Sequence, residues 1–191
     1  MNPTQCGSDF VFFSMAARSR LKMTSLYLIS APPGVSPVFY ADRLGVLRPG
    51  VVAAHCVQAD AADLRLLAAR RVSVAVCPRS NRTLGVGRAP LVAMIAAGVR
   101  ACVGTDSLAS VDTLDVLDDV VLLAREFPEV EPARLLRMAT VEGARALGLP
   151  ELGSLARGRA AALAWTEAPA ALDDPLAFLV SGDARLRPVP A

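Results

Sequence analysis

The sequence predicts an α/β chain: a slice of a barrel-like parallel sheet, with helices laid between its strands. Three observations carry this. Three runs of strand length, VVAAHCV from Val51, VSVAVCP from Val72 and VRACVG from Val99, are apolar almost throughout rather than alternating, the mark of parallel strands covered by helices on both faces. Each run is followed by apolar residues at helical spacing, the alternation that builds parallel sheets. Each run also ends in polar or reactive residues: His55, then the Cys77–Asn81 group, then Asp106. In barrels and doubly wound sheets alike, the C-terminal ends of the strands hold the active site.

In chain order, residues 1–30 stay unassigned. FVFFSM and TSLYLIS are apolar patches without a clear period, separated by RSRLK, and one or two strands or a loosely attached helix would fit them. Ala31-Pro32-Pro33-Gly34 is a turn or linker, and a short helix over 37–44 closes at Gly45. The strand at Val51 continues through His55 and Cys56, whose side chains then point to opposite faces. Asp60 caps the next helix, with Asp63 in its first turn and Leu64, Leu67 and Ala68 on its apolar face. After the strand at Val72, SNRTLGVGR reads as a polar, Gly-containing loop. Pro90 opens a helix that ends at Gly98, with Leu91, Met94 and Ile95 inward. Asp112 and Asp115 favour the start of a helix carrying Leu114, Leu117, Val121 and Ala124. One further helix runs from about Pro132 to a stop at Gly148 and Pro150. Beyond it, short apolar pieces broken by Gly, Pro and Asp predict a few strands of a small β appendage. The division is therefore 1–30 unassigned, 31–150 partial barrel, and 151–191 small β portion.

Composition bounds the function. With 53% hydrophobic and 20% charged residues, the chain of 191 can bury a sizeable core. A net charge of +2 with dispersed Lys and Arg, and 5% aromatics, argue against nucleic acid and against a membrane surface. No apolar run reaches the roughly 18–20 residues of a membrane span, and the N-terminus is a poor signal peptide, because Asp9 interrupts its apolar part. The four cysteines, Cys6, Cys56, Cys77 and Cys102, form no CxxC and read as buried free thiols of a cytoplasmic protein. The expected partner is a small-molecule substrate.

Two readings stand for each candidate residue. His55, the only histidine, is a proton shuttle or metal ligand, or a structural imidazole bonded in the mouth. Asp106, behind Gly104-Thr105, is a metal ligand or general base, or an Asx turn. Arg79, Ser80 and Asn81 either hydrogen-bond substrate or pin the loop that holds His55 and Asp106. Glu142 reads as solvated, far from the strand ends. Cys77 before a proline, with Arg79 near to lower its pKa, is a separate thiol chemistry.

Taken together, AAHCVQ, CPRSN-x-x-LGVGRAP, GTDSLAS-x-x-TLD, MATVEGARALGL and GSLARGRAA resemble, in order and spacing, the amidohydrolase superfamily. The similarity is to its branch of cytosine, S-adenosylhomocysteine and aminofutalosine deaminases and triazine chlorohydrolases. The match runs from about Pro33 to Trp165. The resemblance implies the sixth to eighth strands of a distorted (β/α)8 barrel, with a small β-sandwich portion. It implies a divalent metal, zinc or iron, that activates a water to attack a ring carbon or amide. Asp106 then matches the metal ligand and proton acceptor, and His55 the imidazole beside it, a ligand in binuclear members. Ser80 and Asn81 are kept, from their place at the strand end, as candidate substrate contacts. The family's remaining ligands, an HxH pair and the His of an HxxE, cannot be here, because the chain has one histidine. Val76 stands where many relatives have His, and Ala162 where they have Asp. One carboxylate and one imidazole fall short of a tight zinc site, which takes at least three protein ligands. A slice of barrel should also leave the edge of its first strand open. The expectations are therefore a deaminase-type hydrolase present in part, with a homodimer or a second polypeptide over the open edge, or a non-catalytic remnant that acts as a binding partner of an intact relative.

Overall fold

The computed structural model describes residues 10–16 and 23–189. At its centre are three short parallel strands, β3 (Val51–Ala54), β4 (Ser73–Val76) and β5 (Arg100–Val103), in sheet order β3-β4-β5. They pair in register, Val52 beside Ser73 and Ser73 beside Arg100. The predicted strands are all present but shorter at their C-terminal ends. β3 stops at Ala54, and His55 and Cys56 take left-handed φ values of 65° and 48°. The two side chains therefore do not alternate along an extended strand as expected.

The register sorts side chains by face. Val51, Ala53, Val74, Val76, Ala101 and Val103 share one face and are all buried. They belong to one cluster with Leu64 and Leu67 of α2 (Ala61–Ala69), Leu91 and Met94 of α4 (Leu91–Ala96), Leu117, Val120 and Leu123 of α5 (Val116–Glu126), and Leu135 and Met138 of α6 (Pro132–Ala139). On the opposite face Val52, Ala54 and Ala75 are only half-buried. On the same face Ser73 and Cys102 are buried and Arg100 is exposed, so full cover on both faces, expected from the continuous apolar runs, is found on one and partial cover on the other.

Residues 10–16 and 23–30, left unassigned from sequence, form two strands, β1 (Phe10–Ala16) and β2 (Met23–Ser30), that pair antiparallel. β1 pairs antiparallel with β3, Phe12 beside Ala54 and Met15 beside Val51, giving the order β2-β1-β3-β4-β5. The edge of β3, expected to be open, is therefore covered by the chain itself, which satisfies its backbone groups. Residues 1–9, with Cys6, lie outside the described residues.

Helix boundaries follow their caps. Ser36 accepts from Val38 and Phe39 at the start of α1 (Pro37–Arg43). Asp60 and Asp63 form a reciprocal capping box at the start of α2. Asp115 caps α5, so Leu114 precedes the helix and is exposed rather than on its apolar face. The single helix expected from Pro132 is two, α6 and α7 (Val141–Ala146), broken at Thr140. The largest departure is SNRTLGVGR. Pro78 opens a helix, α3 (Pro78–Leu84), that absorbs its first half and ends at Gly85 in the left-handed conformation.

The C-terminal stretch is less of a β unit than expected. Two-residue strands β6 (Ala164–Trp165) and β7 (Arg187–Pro188) pair antiparallel. Between them lies α8 (Pro175–Ser181), capped by Asp174, whose Val180 joins the central core. Among the described residues no helix is long and apolar enough to cross a membrane.

Candidate functional site

The three strand ends meet at the first turn of α3. This helix grows directly from the middle strand, β4, so its first residues sit between the ends of β3 and β5. Successive helical residues are turned about 100° from one another. Arg79, Ser80 and Asn81 therefore leave the helix in three directions and reach three different partners.

Ser80 reaches β5. Its Oγ donates to Asp106 Oδ2 at 2.6 Å, and Ser110 Oγ donates to the same oxygen at 3.1 Å. Asp106 follows the strand after Gly104 and Thr105, and its φ of 66° is left-handed. Such strain at a non-glycine residue clusters at functional sites. The carboxylate is about a third exposed, with a side-chain accessibility of 32%. Its other oxygen, Oδ1, has no hydrogen-bond partner among the described residues.

Asn81 reaches β3. His55 Nδ1 lies 2.8 Å from Asn81 Oδ1, and the backbone N–H of His55 donates to Ala75 O, which ties the end of β3 to β4. His55 Nε2 faces Asp106 Oδ2 at 3.7 Å. Imidazole and carboxylate, on strands separated by β4, thus stand nearly in contact at one edge of the sheet.

Arg79 reaches α5. Its backbone N–H and its Nε donate to the two oxygens of Asp119 at 3.1 and 3.0 Å. Nη1 donates to Thr113 Oγ1, and Nη2 to the carbonyls of Thr113 and Asp115. Asp112 and Asp118 lie at 3.4 and 3.3 Å. Asp119 is fully buried. Burial pushes its carboxyl above the usual range, and the Arg79 guanidinium opposes that.

Three sequence expectations change here. Cys77 is not an activated thiol: burial first, and then the Asp106 and Asp119 carboxylates, push it up to about 12. Arg79 is committed to Asp119 instead. Glu142 is not solvated: it is largely buried, with Arg137 and Arg145 on its carboxylate. Ser80 and Asn81 are buried, at 0% and 2% exposure, and each is bound to a candidate catalytic side chain. Ser110 and Asp119 escaped the sequence reading. The signal for Asp119 was present, an acidic residue among Leu117, Val120 and Val121 on the apolar stripe of a helix. Ser110 had only its spacing of four from Asp106.

Among the described residues no group of three or more His, Cys, Asp or Glu could hold a metal. His55 and Asp106 supply two donors, fewer than the three that zinc takes in a catalytic site, so the residues present do not make a metal site on their own. A cavity of about 290 Å³ opens elsewhere, between α3 and α5, over Val76, Asn81, Leu123 and Phe127.

Comparison with known proteins places this arrangement in a family. The sequence model of the amidohydrolase family matches residues 33–185. A 5-methylthioadenosine/S-adenosylhomocysteine deaminase of Pelotomaculum thermopropionicum is 42% identical over 142 residues, covering 71% of this chain and 33% of that protein. A 5'-deoxyadenosine deaminase of Methanothermobacter thermautotrophicus is 39% identical over 140 residues, covering 70% of this chain and 33% of that protein. Among solved structures, a zinc-bound adenosine deaminase from Xanthomonas campestris superposes with a TM-score of 0.72 at 34% identity, over 78% of this chain and 36% of that one. The zinc complex of an atrazine chlorohydrolase from Arthrobacter aurescens superposes at 0.70 and 30% identity, with the same coverage. The chain spans about a third of the length of these relatives.

Proposed function

The chain belongs to the amidohydrolase family, and from that premise we propose that it is the portion carrying the sixth to eighth barrel strands of a hydrolase that deaminates a nucleoside-like substrate. The observation that carries the reading is the pair His55 and Asp106. Both residues follow parallel strand ends in left-handed conformations and face each other at 3.7 Å. The relatives' names, deaminases of adenine nucleosides and their thioether analogues, point to the substrate class.

In this reading Asp106 is the proton acceptor and His55 the imidazole that passes a proton to or from the reacting centre. Ser80 and Ser110 hold one oxygen of Asp106, which leaves the other for the reaction. A divalent metal, zinc in the solved neighbours, would supply Lewis acidity once further ligands complete the site. Those ligands, and the strands that carry them, come from a further stretch of chain or from a second polypeptide. The half-buried face at Val52, Ala54 and Ala75 is the surface they would cover. The free thiols Cys56, Cys77 and Cys102 suit a reducing, cytoplasmic setting.

One observation favours the other reading, a non-catalytic module. In a (β/α)8 barrel the strand beside β3 would be parallel to it, but here β1 lies antiparallel in that place. Two experiments separate the readings. Translating the DNA upstream of Met1 in all frames should uncover HxH and HxxE motifs in order if the chain is part of a barrel. Their absence, with co-purification of an intact amidohydrolase from the native cell, would support the module. The purified chain alone should hold no stoichiometric zinc and release no ammonia from 5'-deoxyadenosine; turnover by the chain alone would overturn the incomplete-site reading.

A further inference from the structure

We propose that Asn81 is a positioning residue for His55, fixing the imidazole with its proton on Nδ1, and not a contact for substrate. The inference deepens the hydrolase reading above and rests on it for the role of His55. Three observations support it.

First, Asn81 is 2% exposed, so it offers almost no surface to a ligand in the mouth. Second, its Oδ1 lies 2.8 Å from His55 Nδ1. An amide oxygen only accepts hydrogen bonds, so Nδ1 must carry the proton. In the neutral ring the lone pair then belongs to Nε2, the nitrogen that faces Asp106. Third, Asn81 Nδ2 is buried with no hydrogen-bond partner among the described residues. The bond to His55 is thus the side-chain hydrogen bond that Asn81 makes among the described residues.

The fold makes the amide a rigid arm. Asn81 is in the first turn of α3, where its N–H donates to Cys77 O. Arg79, two residues earlier, locks that turn to Asp119 through both backbone and guanidinium. His55 itself follows the end of β3 in a left-handed conformation, with its backbone N–H still bonded to Ala75 O. Asn81 thus reaches the ring from the neighbouring βα connection.

The sole histidine makes the test direct. A long-range ¹H–¹⁵N NMR spectrum of the full chain contains one imidazole, whose two nitrogen shifts show directly which of them carries the proton. The expected wild-type pattern has Nδ1 protonated and Nε2 unprotonated. Asn81→Ala should move it towards the Nε2–H form that free imidazole side chains prefer. Ser80→Ala, which loosens Asp106 instead, should leave the tautomer as in wild type. A wild-type Nε2–H ring would overturn the proposal, because the amide would then face His55 with its nitrogen. So would an unchanged tautomer in Asn81→Ala, or an equal change in both variants, the mark of general loosening. In the assembled enzyme, Asn81→Ala should lower kcat about 10–100-fold with KM within about twofold. A raised KM with kcat retained would place Asn81 on the substrate. The NMR result requires no turnover, so loss of the deaminase reading would leave it standing.

Discussion

The two faces of the β3–β4–β5 sheet are made from the same strands and differ in what covers them. On one face Val51, Ala53, Val74, Val76, Ala101 and Val103 are sealed under α2, α4, α5 and α6. On the other, Val52, Ala54 and Ala75 are half-buried, though their side chains are equally apolar. Among the described residues one face is fully covered and the other only in part. The lesson is that apolar strand sequence records how buried a strand becomes in its full setting, while the cover present within this chain decides how much of that burial is realised.

Four changes break or sharpen the contrast, the largest effect first. Arg79→Met on the helix side should cost about 3–5 kcal/mol in urea unfolding, because it strands the fully buried Asp119 without its partner. A loss below about 1 kcal/mol would mean that Asp119 takes up its proton or reaches water, and that the joint between α3 and α5 is soft. Leu123→Ala, fully buried in the helix layer, should cost about 2–5 kcal/mol by lost transfer energy and a residual cavity.

The third change is pH. Cys102 shares the half-covered face with Ala54 and Ala75, yet burial pushes its thiol from 9.0 up to about 12. The folded state holds this proton more tightly than the unfolded chain does. Its contribution is thus complete below about pH 9 and lost as pH rises from about 9 to 12. The slope is at most roughly 1.4 kcal/mol per pH unit for one thiol. Cys56 and Cys77 titrate in the same window. Unfolding midpoints across that range should therefore fall less steeply in Cys102→Ala than in wild type; identical slopes would show that water reaches this part of the open face. The smallest effect is expected from Val52→Thr, which should change stability by less than about 1 kcal/mol. A larger loss would reveal that the face is covered after all, by β1 and β2 or by a second copy of the chain.

Much of the scaffold was legible in the sequence, and the reasons are local. Asp60 and Asp63 announce the start of α2, and Pro90 with Gly98 brackets α4. The three apolar runs mark β3, β4 and β5. Asp106 and His55 were visible as polar residues where such runs end. Legibility failed where an outcome depends on partners far along the chain. SNRTLGVGR looks like a loop because its side chains are polar and its glycines close together. It is half helix because Arg79 finds Asp119, forty residues on, and Ser80 finds Asp106, twenty-six on. The strands β1 and β2 had no period to read.

Sequence by itself thus determined the parallel strands, most of the helix boundaries, and which two residues carry reactive groups at the strand ends. Each of these is recorded within a few neighbouring positions, as an apolar run, a cap or a turn residue. Tertiary structure alone decided that α3 joins the two reactive residues, that β1 closes the edge of β3, that burial silences Cys77, and that one face of the sheet is sealed while the other is not. Those outcomes rest on hydrogen bonds and burial between segments tens of residues apart, and no local pattern encodes which distant segment will arrive.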